Sequence, residues 1–229
     1  MQTIRVVFLV YPNVTQLDLT GPAQVLSRLG NAKVDVVWKT PEPVPTDSGF
    51  ALLPTATFDQ VQQADILCVP GGFGCMEVMQ DDAALAWVRA VGESAQWVTS
   101  VCTGSLILGA AGLLRGYRAT SHWAWRDYLG LFGAEPVAER VVFDRNRVTG
   151  GGVTAGIDFA LALVAAIEGE ENARAIQLGL EYDPHPPFDS GTPDKAGEEL
   201  VRRVHERSSR MAPDREDRIR AVAERFAGR

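Results

Sequence analysis

The sequence has few of the residues that build metal sites and disulfide frameworks. Its 229 residues include only three Cys and three His. An odd number of cysteines does not form a disulfide framework, and the spacing of Cys68, Cys75 and Cys102 matches no zinc-binding pattern. The apolar runs are too short to span a bilayer, and the first residues lack the features of a signal peptide. We therefore expect a cytoplasmic protein with no metal, no organic cofactor and no membrane contact.

Positive charge is also scarce. The chain has 22 Lys and Arg against 29 Asp and Glu, a formal net charge of -7, which repels phosphate backbones and argues against a nucleic-acid partner. Hydrophobic residues make up 46% of the chain, as in an ordinary folded domain. We place one α/β domain at residues 1–193. Residues 194–229, rich in Arg and acidic residues, are predicted to form a charged helical extension packed on that domain.

Strand-like and helix-like segments alternate along the chain. Continuous apolar runs predict buried strands at residues 4–11, 34–38, 65–69 and 96–101, and helices are expected over 82–95, 103–114, 154–167 and 172–182. Gly21 and Pro22 are expected to open a first helix. This alternation predicts a doubly wound, mostly parallel sheet, whose site lies at the carboxyl ends of the strands.

Cys102 follows a buried strand directly and stands at the start of a predicted helix. Gly104 permits a tight turn, so the pattern is that of a nucleophile elbow with sulfur in place of a serine hydroxyl. A helix N-terminus favours anions and should lower the pKa of the thiol. The alternative is a small buried hydrophobic residue, which is the expectation for Cys68 in its strand.

Asp18 follows the first strand between two leucines. An apolar environment would raise the pKa of its carboxyl and keep it a proton donor; the alternative is an acid that caps a helix. Two glycine-rich turns follow strands: Gly72 lies in the Pro-Gly-Gly turn after the third strand, and Gly151 lies in the triple-glycine segment. Each turn either brings backbone N–H groups near an anion or is an ordinary turn.

Three aromatic or apolar side chains and one histidine complete the candidate site. Phe73, Val153 and Trp123 lie near strand ends and are candidates for the wall of a substrate pocket, or for plain core. Gly151 and His122 are further candidates for this wall. His122 stands 20 residues after the cysteine. It is either the base of a Cys–His pair or a satisfied histidine beside packing tryptophans.

These residues resemble the ThiJ/PfpI superfamily, relatives of the class I glutamine amidotransferase domains. The resemblance rests on SVCTGSLILGAAGLLRGYRATSHW, with VPGG before it and TGGGVTAGIDFAL after it, and extends to about Tyr182. Within the superfamily, QLDLTGP, SVCTGS and LEYDPHPPFDSGTPD are most similar to the isocyanide hydratases, which add water to an isocyanide to give an N-formamide.

The resemblance implies a flavodoxin-like fold with helices on both faces, a homodimer and an isocyanide as the small-molecule substrate. It also implies that Cys102 is the nucleophile, Asp18 its acid partner and Thr103 a neighbouring hydroxyl, with no His completing a triad. On this basis Cys102 would form a thioimidate, Asp18 would act as general acid and base, and Thr103 and the N–H groups near Gly72 would hold developing charge.

Three other functions are considered. AraC-type regulators carry a similar domain, but they need a DNA-binding region for which too few residues follow Tyr182. A glyoxalase-like enzyme, deglycase or peptidase of the superfamily would more naturally use Glu at the acid position or His beside the cysteine, where this chain has Asp18 and Thr103. A sensor whose Cys102 thiol is oxidised is the third.

Overall fold

The apolar segments form the centre of a seven-stranded sheet in the computed structural model, which describes residues 3–227. The strands are β1 (Ile4–Leu9), β2 (Ala32–Trp38), β3 (Val44–Pro45), β4 (Ala51–Leu52), β5 (Ala56–Thr57), β6 (Ile66–Val69), β7 (Trp97–Val101), β8 (Arg118–Ala119), β9 (Glu135–Pro136), β10 (Val141–Asp144) and β11 (Arg147–Gly150). The helices are α1 (Gln16–Leu26), α2 (Cys75–Val78), α3 (Asp82–Ser94), α4 (Gly104–Ala110), α5 (Ala155–Glu168), α6 (Glu170–Gly179), α7 (Pro193–Ala196), α8 (Glu198–Met211) and α9 (Arg215–Ala227), with a 3-10 helix over Arg126–Phe132.

The strand order of the main sheet is β10-β11-β7-β6-β1-β2-β5. Every neighbouring pair is parallel except β10 with β11, which is antiparallel. The predicted doubly wound, mostly parallel sheet is therefore confirmed. The central strands are buried on both faces because helices cover both, as continuous apolar runs require.

Helix α1 differs from the prediction at its start. It begins at Gln16, so Pro22 lies inside the helix and not in its first turn. Proline has no N–H, and the carbonyl four residues earlier, that of Asp18, therefore receives no helical hydrogen bond from it. The helix continues through Pro22, and Gly156 of α5 packs close against the proline ring.

The charged C-terminal segment forms two long helices with different environments. Helix α9 places Ile219, Val222 and Ala223 in the core, whereas no residue of α8 is buried. Ion pairs from α9 to α2 and α3, Arg218–Glu77 and Arg225–Asp82, add further contacts with the domain. The division of the chain at residue 193 remains a prediction. Among the described residues, no helix has the length and apolarity needed to cross a bilayer.

The chain reverses its direction of winding at β1. From this strand it moves outward through β2 and β5, and then returns on the other side through β6, β7 and β11. The loops that follow β1 and β6 consequently separate at the carboxyl edge of the sheet and leave a crevice. In doubly wound sheets this crevice is where ligands bind.

Candidate active site

Cys102 lies at the carboxyl end of β7 in a strained conformation. Its φ is 55°, in the left-handed region that costs a non-glycine residue on the order of 1 kcal/mol. Its N–H donates to the carbonyls of Gly150 and Gly151, and its carbonyl accepts from the hydroxyls of Ser105 at 3.0 Å and Ser121 at 2.9 Å. These bonds hold the cysteine at the apex of a sharp strand-to-helix turn, as the sequence predicts.

Two glycines allow this turn to approach the loop after β6. A Cβ on Gly104 would lie 2.0 Å from the Val69 carbonyl oxygen. A Cβ on Gly71 would lie 2.6 Å from the Thr103 nitrogen and 2.8 Å from both Asp18 Oδ2 and Cys102 Cβ. Only glycine permits the cysteine, the carboxyl and the loop to meet at these distances.

Asp18 lies in the first turn of α1, and its carboxyl points away from that helix. Oδ2 accepts the Gly71 N–H at 2.9 Å, and no side chain caps the helix at Thr15, so the alternative of a capping acid is wrong. Asp18 is 1% exposed, and Oδ1 accepts no hydrogen bond from an N–H or O–H of the described residues.

Burial dominates the electrostatics of this carboxyl. Desolvation raises the pKa of Asp18 to about 7, although the Gly71 N–H and the adjoining Cys102 thiol both oppose the shift. Near neutral pH the group therefore exchanges its proton readily. A carboxyl in this state can act as both general acid and general base.

The environment of the thiol differs from the prediction in one respect. Burial raises the pKa of the Cys102 thiol, and the charge of Asp18 raises it further. The N–H groups of Thr103 and Val153 bond to the sulfur and work in the opposite direction. A low thiol pKa, expected from the helix N-terminus alone, is not found because desolvation outweighs the effect of the short helix.

Thr103 forms a reciprocal pair of hydrogen bonds with Gly72. Its hydroxyl accepts the Gly72 N–H at 2.9 Å and donates to the Gly72 carbonyl at 3.1 Å. The Gly72 N–H is thus already occupied, so it differs from the free donor expected from the sequence. The N–H groups that reach the reacting sulfur are those of Thr103 and Val153, and they are the donors available for developing charge.

A cavity of about 340 Å³ opens above the cysteine. Its lining combines residues of the crevice with residues of α8: Thr15, Gly72, Phe73, Cys102, Thr103, His122, Trp125, Val153, Val204, Arg207, Ser208 and Met211. The volume suits a small organic molecule. Most of this wall is apolar, and the thiol lies at its buried end.

Three of the predicted pocket residues line this cavity and two do not. Phe73, Val153 and His122 are present. Trp123 instead lines a neighbouring cavity, and Trp125 takes the place expected for it. Gly151 acts through its backbone, since its carbonyl accepts the Cys102 N–H at 2.8 Å. The sequence pattern HWAW shows two tryptophans, and nothing in it distinguishes which one faces the cysteine.

His122 is a wall residue without a catalytic partner. Burial lowers the pKa of its imidazole, and the charge of Arg215 lowers it further. Its Nδ1 accepts the Ala124 N–H at 3.3 Å, and no hydrogen bond joins the ring to Cys102 within residues 3–227. The structure therefore agrees with a histidine whose ring is satisfied by a local hydrogen bond, and it does not form the Cys–His pair.

The other two cysteines are buried and do not line the cavity. Burial raises the pKa of Cys68 to about 12 and that of Cys75 to about 12. Cys68 accepts a hydrogen bond from Thr99 within the sheet. Across the described part of the chain, no group of three or more His, Cys, Asp and Glu side chains could hold a metal ion.

The fold and the site together define an α/β protein built around a cysteine nucleophile elbow. The model of the DJ-1/PfpI family matches residues 4–166, which is well over half of the chain. The chain belongs to the DJ-1/PfpI family. The resemblance inferred from the cysteine motif is thereby confirmed, together with the flavodoxin-like fold.

Three individual proteins show which members of the family this chain is similar to. An isonitrile hydratase of Pseudomonas putida is 50% identical over 206 residues, which are 90% of each chain. The crystal structure of a ThiJ/PfpI family protein from Pseudomonas syringae superposes with a TM-score of 0.89 at 44% identity, covering 97% of this chain and 91% of that one. The transcriptional regulator CdhR of Pseudomonas aeruginosa is 30% identical over 61% of this chain but only 41% of its own length.

Proposed function

We propose that this protein is an isocyanide hydratase, a lyase that converts an isocyanide and water to an N-formamide. The observation that carries the proposal is the pairing of Asp18, a buried carboxyl with a pKa of about 7, with Cys102 at the closed end of an apolar cavity. Isocyanide hydration needs a nucleophile for the terminal carbon and a group that first donates and then accepts protons. The relative from Pseudomonas putida, whose name states this activity, supports the assignment.

The reactive form of the pair carries one proton and one negative charge. Because the two groups adjoin, they titrate together, and the remaining proton is shared between sulfur and carboxyl. In the first step, Cys102 Sγ forms a bond to the terminal carbon of the isocyanide while the carboxyl proton moves to that carbon. The product is a thioimidate, R–N=CH–S–Cys102, and Asp18 becomes a carboxylate.

Water completes the reaction in three further proton transfers. The Asp18 carboxylate takes a proton from water as its oxygen bonds to the thioimidate carbon, and passes that proton to the substrate nitrogen. The hydroxyl proton of this tetrahedral species then returns to Asp18 as the C–S bond breaks. These transfers release R–NH–CHO and restore the thiolate and the carboxyl, so one isocyanide and one water give one formamide.

The surrounding residues orient the pair and form the apolar wall of the pocket. The N–H groups of Thr103 and Val153 bond to the sulfur and would stabilise negative charge there as the C–S bond breaks. Thr103, tied to Gly72 through its hydroxyl, keeps the elbow and the loop after β6 at a constant separation. Phe73 and Trp125, whose rings meet edge to face, form an apolar wall for the body of the substrate.

The same proposal covers assembly and location. A homodimer in the cytoplasm follows from the resemblance, with residues 194–229 as an extension of the single domain. Large apolar side chains that are unusually exposed, Leu178 at 82% and Phe188 at 77%, are available to a second copy. Light scattering coupled to size-exclusion chromatography should give twice the mass of the chain.

The test is turnover of a simple aromatic isocyanide, followed by the appearance of the N-formamide. The purified wild type, Cys102→Ala and the control Cys68→Ala are compared, each checked for native circular dichroism. We expect turnover in the wild type and the control and none in Cys102→Ala, because Cys102 is the one of the three cysteines that lines the cavity. No turnover by fresh, reduced wild type, or undiminished turnover by Cys102→Ala, would overturn the proposal.

A further inference from the structure

Helix α8 forms one wall of the active-site cavity although it contributes nothing to the core. Its apolar residues Val204 and Met211 are 44% and 60% exposed, yet both line the cavity above Cys102. Ser208 lines it too. The apolar side of this helix therefore covers the substrate space, and α8 decides what chemistry the outer part of the cavity offers.

Arg215, at the start of α9, holds α8 in this place. Its guanidinium donates to the Ser208 hydroxyl at 2.9 Å and lies 3.1 Å from His205 Nε2, both on α8. The same group stacks over the ring of Trp125 at 5.1 Å, on the opposite wall. Arg215 is 6% exposed and has no carboxylate partner within the described residues, so a buried positive charge stands behind the cavity wall.

A second arginine brings positive charge into the cavity itself. Arg207 is the only charged side chain in the lining, and within residues 3–227 it makes no hydrogen bond or ion pair. Its neighbour Arg202 on the same helix, by contrast, pairs with Glu199 and Glu206. Because Arg207 is exposed and Cys102 is buried, the guanidinium lies toward the open side of the cavity and the thiol lies at its closed end.

The sign of the charge changes from the closed end of the cavity to its opening. Negative charge lies at the closed end, where the buried Asp18 carboxyl adjoins Cys102. Positive charge stands toward the opening. A substrate with one anionic end is repelled beside the cysteine and attracted at Arg207, so its neutral end is directed inward.

We infer that the substrate is an isocyanide carrying a carboxylate at the end remote from the isocyanide group, and that Arg207 selects it. This inference rests on the proposed function and adds a substrate class to it. A carboxylate matches the planar fork of a single guanidinium. The apolar rings of Phe73 and Trp125 would enclose the body of the molecule while its isocyanide carbon reaches Cys102 Sγ.

The experiment compares 4-isocyanobenzoate with 4-isocyanobenzamide, which has nearly the same shape but no charge. The quantity measured is the ratio of kcat/KM for the two compounds, in wild type, Arg207→Gln, Arg207→Lys and the control Arg210→Gln. Arg210 carries the same charge on the same helix and does not line the cavity. Comparing ratios between variants cancels the intrinsic reactivity of each compound.

We expect the ratio to fall about tenfold in Arg207→Gln, the effect of one charged hydrogen bond. It should be largely kept in Arg207→Lys and unchanged in Arg210→Gln, and in wild type it should decrease at 0.5 M NaCl, because salt screens a charge at the opening. Turnover of both compounds with a ratio that Arg207→Gln leaves unchanged overturns this inference and leaves the hydratase standing. No turnover of either compound by wild type overturns both.

Discussion

Replacing Asp18 by Asn tests the central feature of the site, a carboxyl whose proton is retained by burial. The substitution preserves shape, and the amide oxygen can still accept the Gly71 N–H that Oδ2 accepts at 2.9 Å. It removes only the titrating proton. We expect turnover to be lost while the fold is retained, because none of the proton transfers that the proposed reaction assigns to Asp18 can occur.

The same substitution should change stability with a definite dependence on pH. Burial raises the pKa of Asp18 from 3.8 to about 7 in the folded protein. The folded state therefore binds the proton more tightly than the unfolded state, and the stabilisation is complete below about pH 4 and lost as pH rises through 7. About three pKa units correspond to roughly 4 kcal/mol in total, of which about 3 kcal/mol falls between pH 5 and pH 9.

The assay is urea unfolding of wild type and Asp18→Asn at pH 5 and at pH 9. Relative to the variant, wild type should lose about 3 kcal/mol between the two conditions. His122 titrates with the opposite sign, since burial lowers the pKa of its imidazole, but both proteins contain it and its contribution cancels. A difference between the two proteins that stays constant from pH 5 to pH 9 would show that Asp18 is ionised in the folded state at both, and would refute the reasoning.

Three further predictions address the geometry around the pair. Thr103→Val leaves the Gly72 N–H without its acceptor, and should destabilise the protein by about 1–3 kcal/mol and slow turnover about tenfold; Thr103→Ser should restore both, and an unaffected rate would make the hydroxyl purely structural. Gly71→Ala places a Cβ 2.6 Å from the Thr103 nitrogen, and should cost about 1–3 kcal/mol in thermal unfolding and most of the activity, whereas the exposed control Gly191→Ala should change neither. In wild type, kcat/KM should rise with pH through about 7, as the pair loses its first proton, and a profile flat from pH 5 to pH 9 would contradict that assignment.

The local parts of this structure are those that neighbouring residues specify. The buried strands were predicted to within a few residues, because a continuous apolar run can be read from the sequence without knowing which segments pack against it. The elbow at Cys102 belongs to the same class. A buried strand that runs straight into a helix through a small residue forces one geometry, and the left-handed φ of 55° is its result.

Features that depend on distant segments were missed or misplaced. Pro22 lies inside α1, where Gly156, far along the chain, packs against its ring. The Gly72 N–H bonds to the Thr103 hydroxyl across 31 positions of sequence. Which of Trp123 and Trp125 lines the cavity likewise depends on where the cavity lies, and the residues next to the two tryptophans do not specify that position.

The sequence by itself determined the parallel sheet and the elbow at Cys102, because both follow from short-range patterns of apolar and small residues. The resemblance carried by its motifs made Cys102 the predicted nucleophile and Asp18 the predicted acid. Only the tertiary structure decided that burial sets the charge of the Cys102–Asp18 pair and that α8 closes the cavity with Arg207. The reason is physical: desolvation and cavity walls are properties of the space between segments. In this protein that space is enclosed by residues that stand nearly 200 positions apart in the chain, such as Thr15 and Met211.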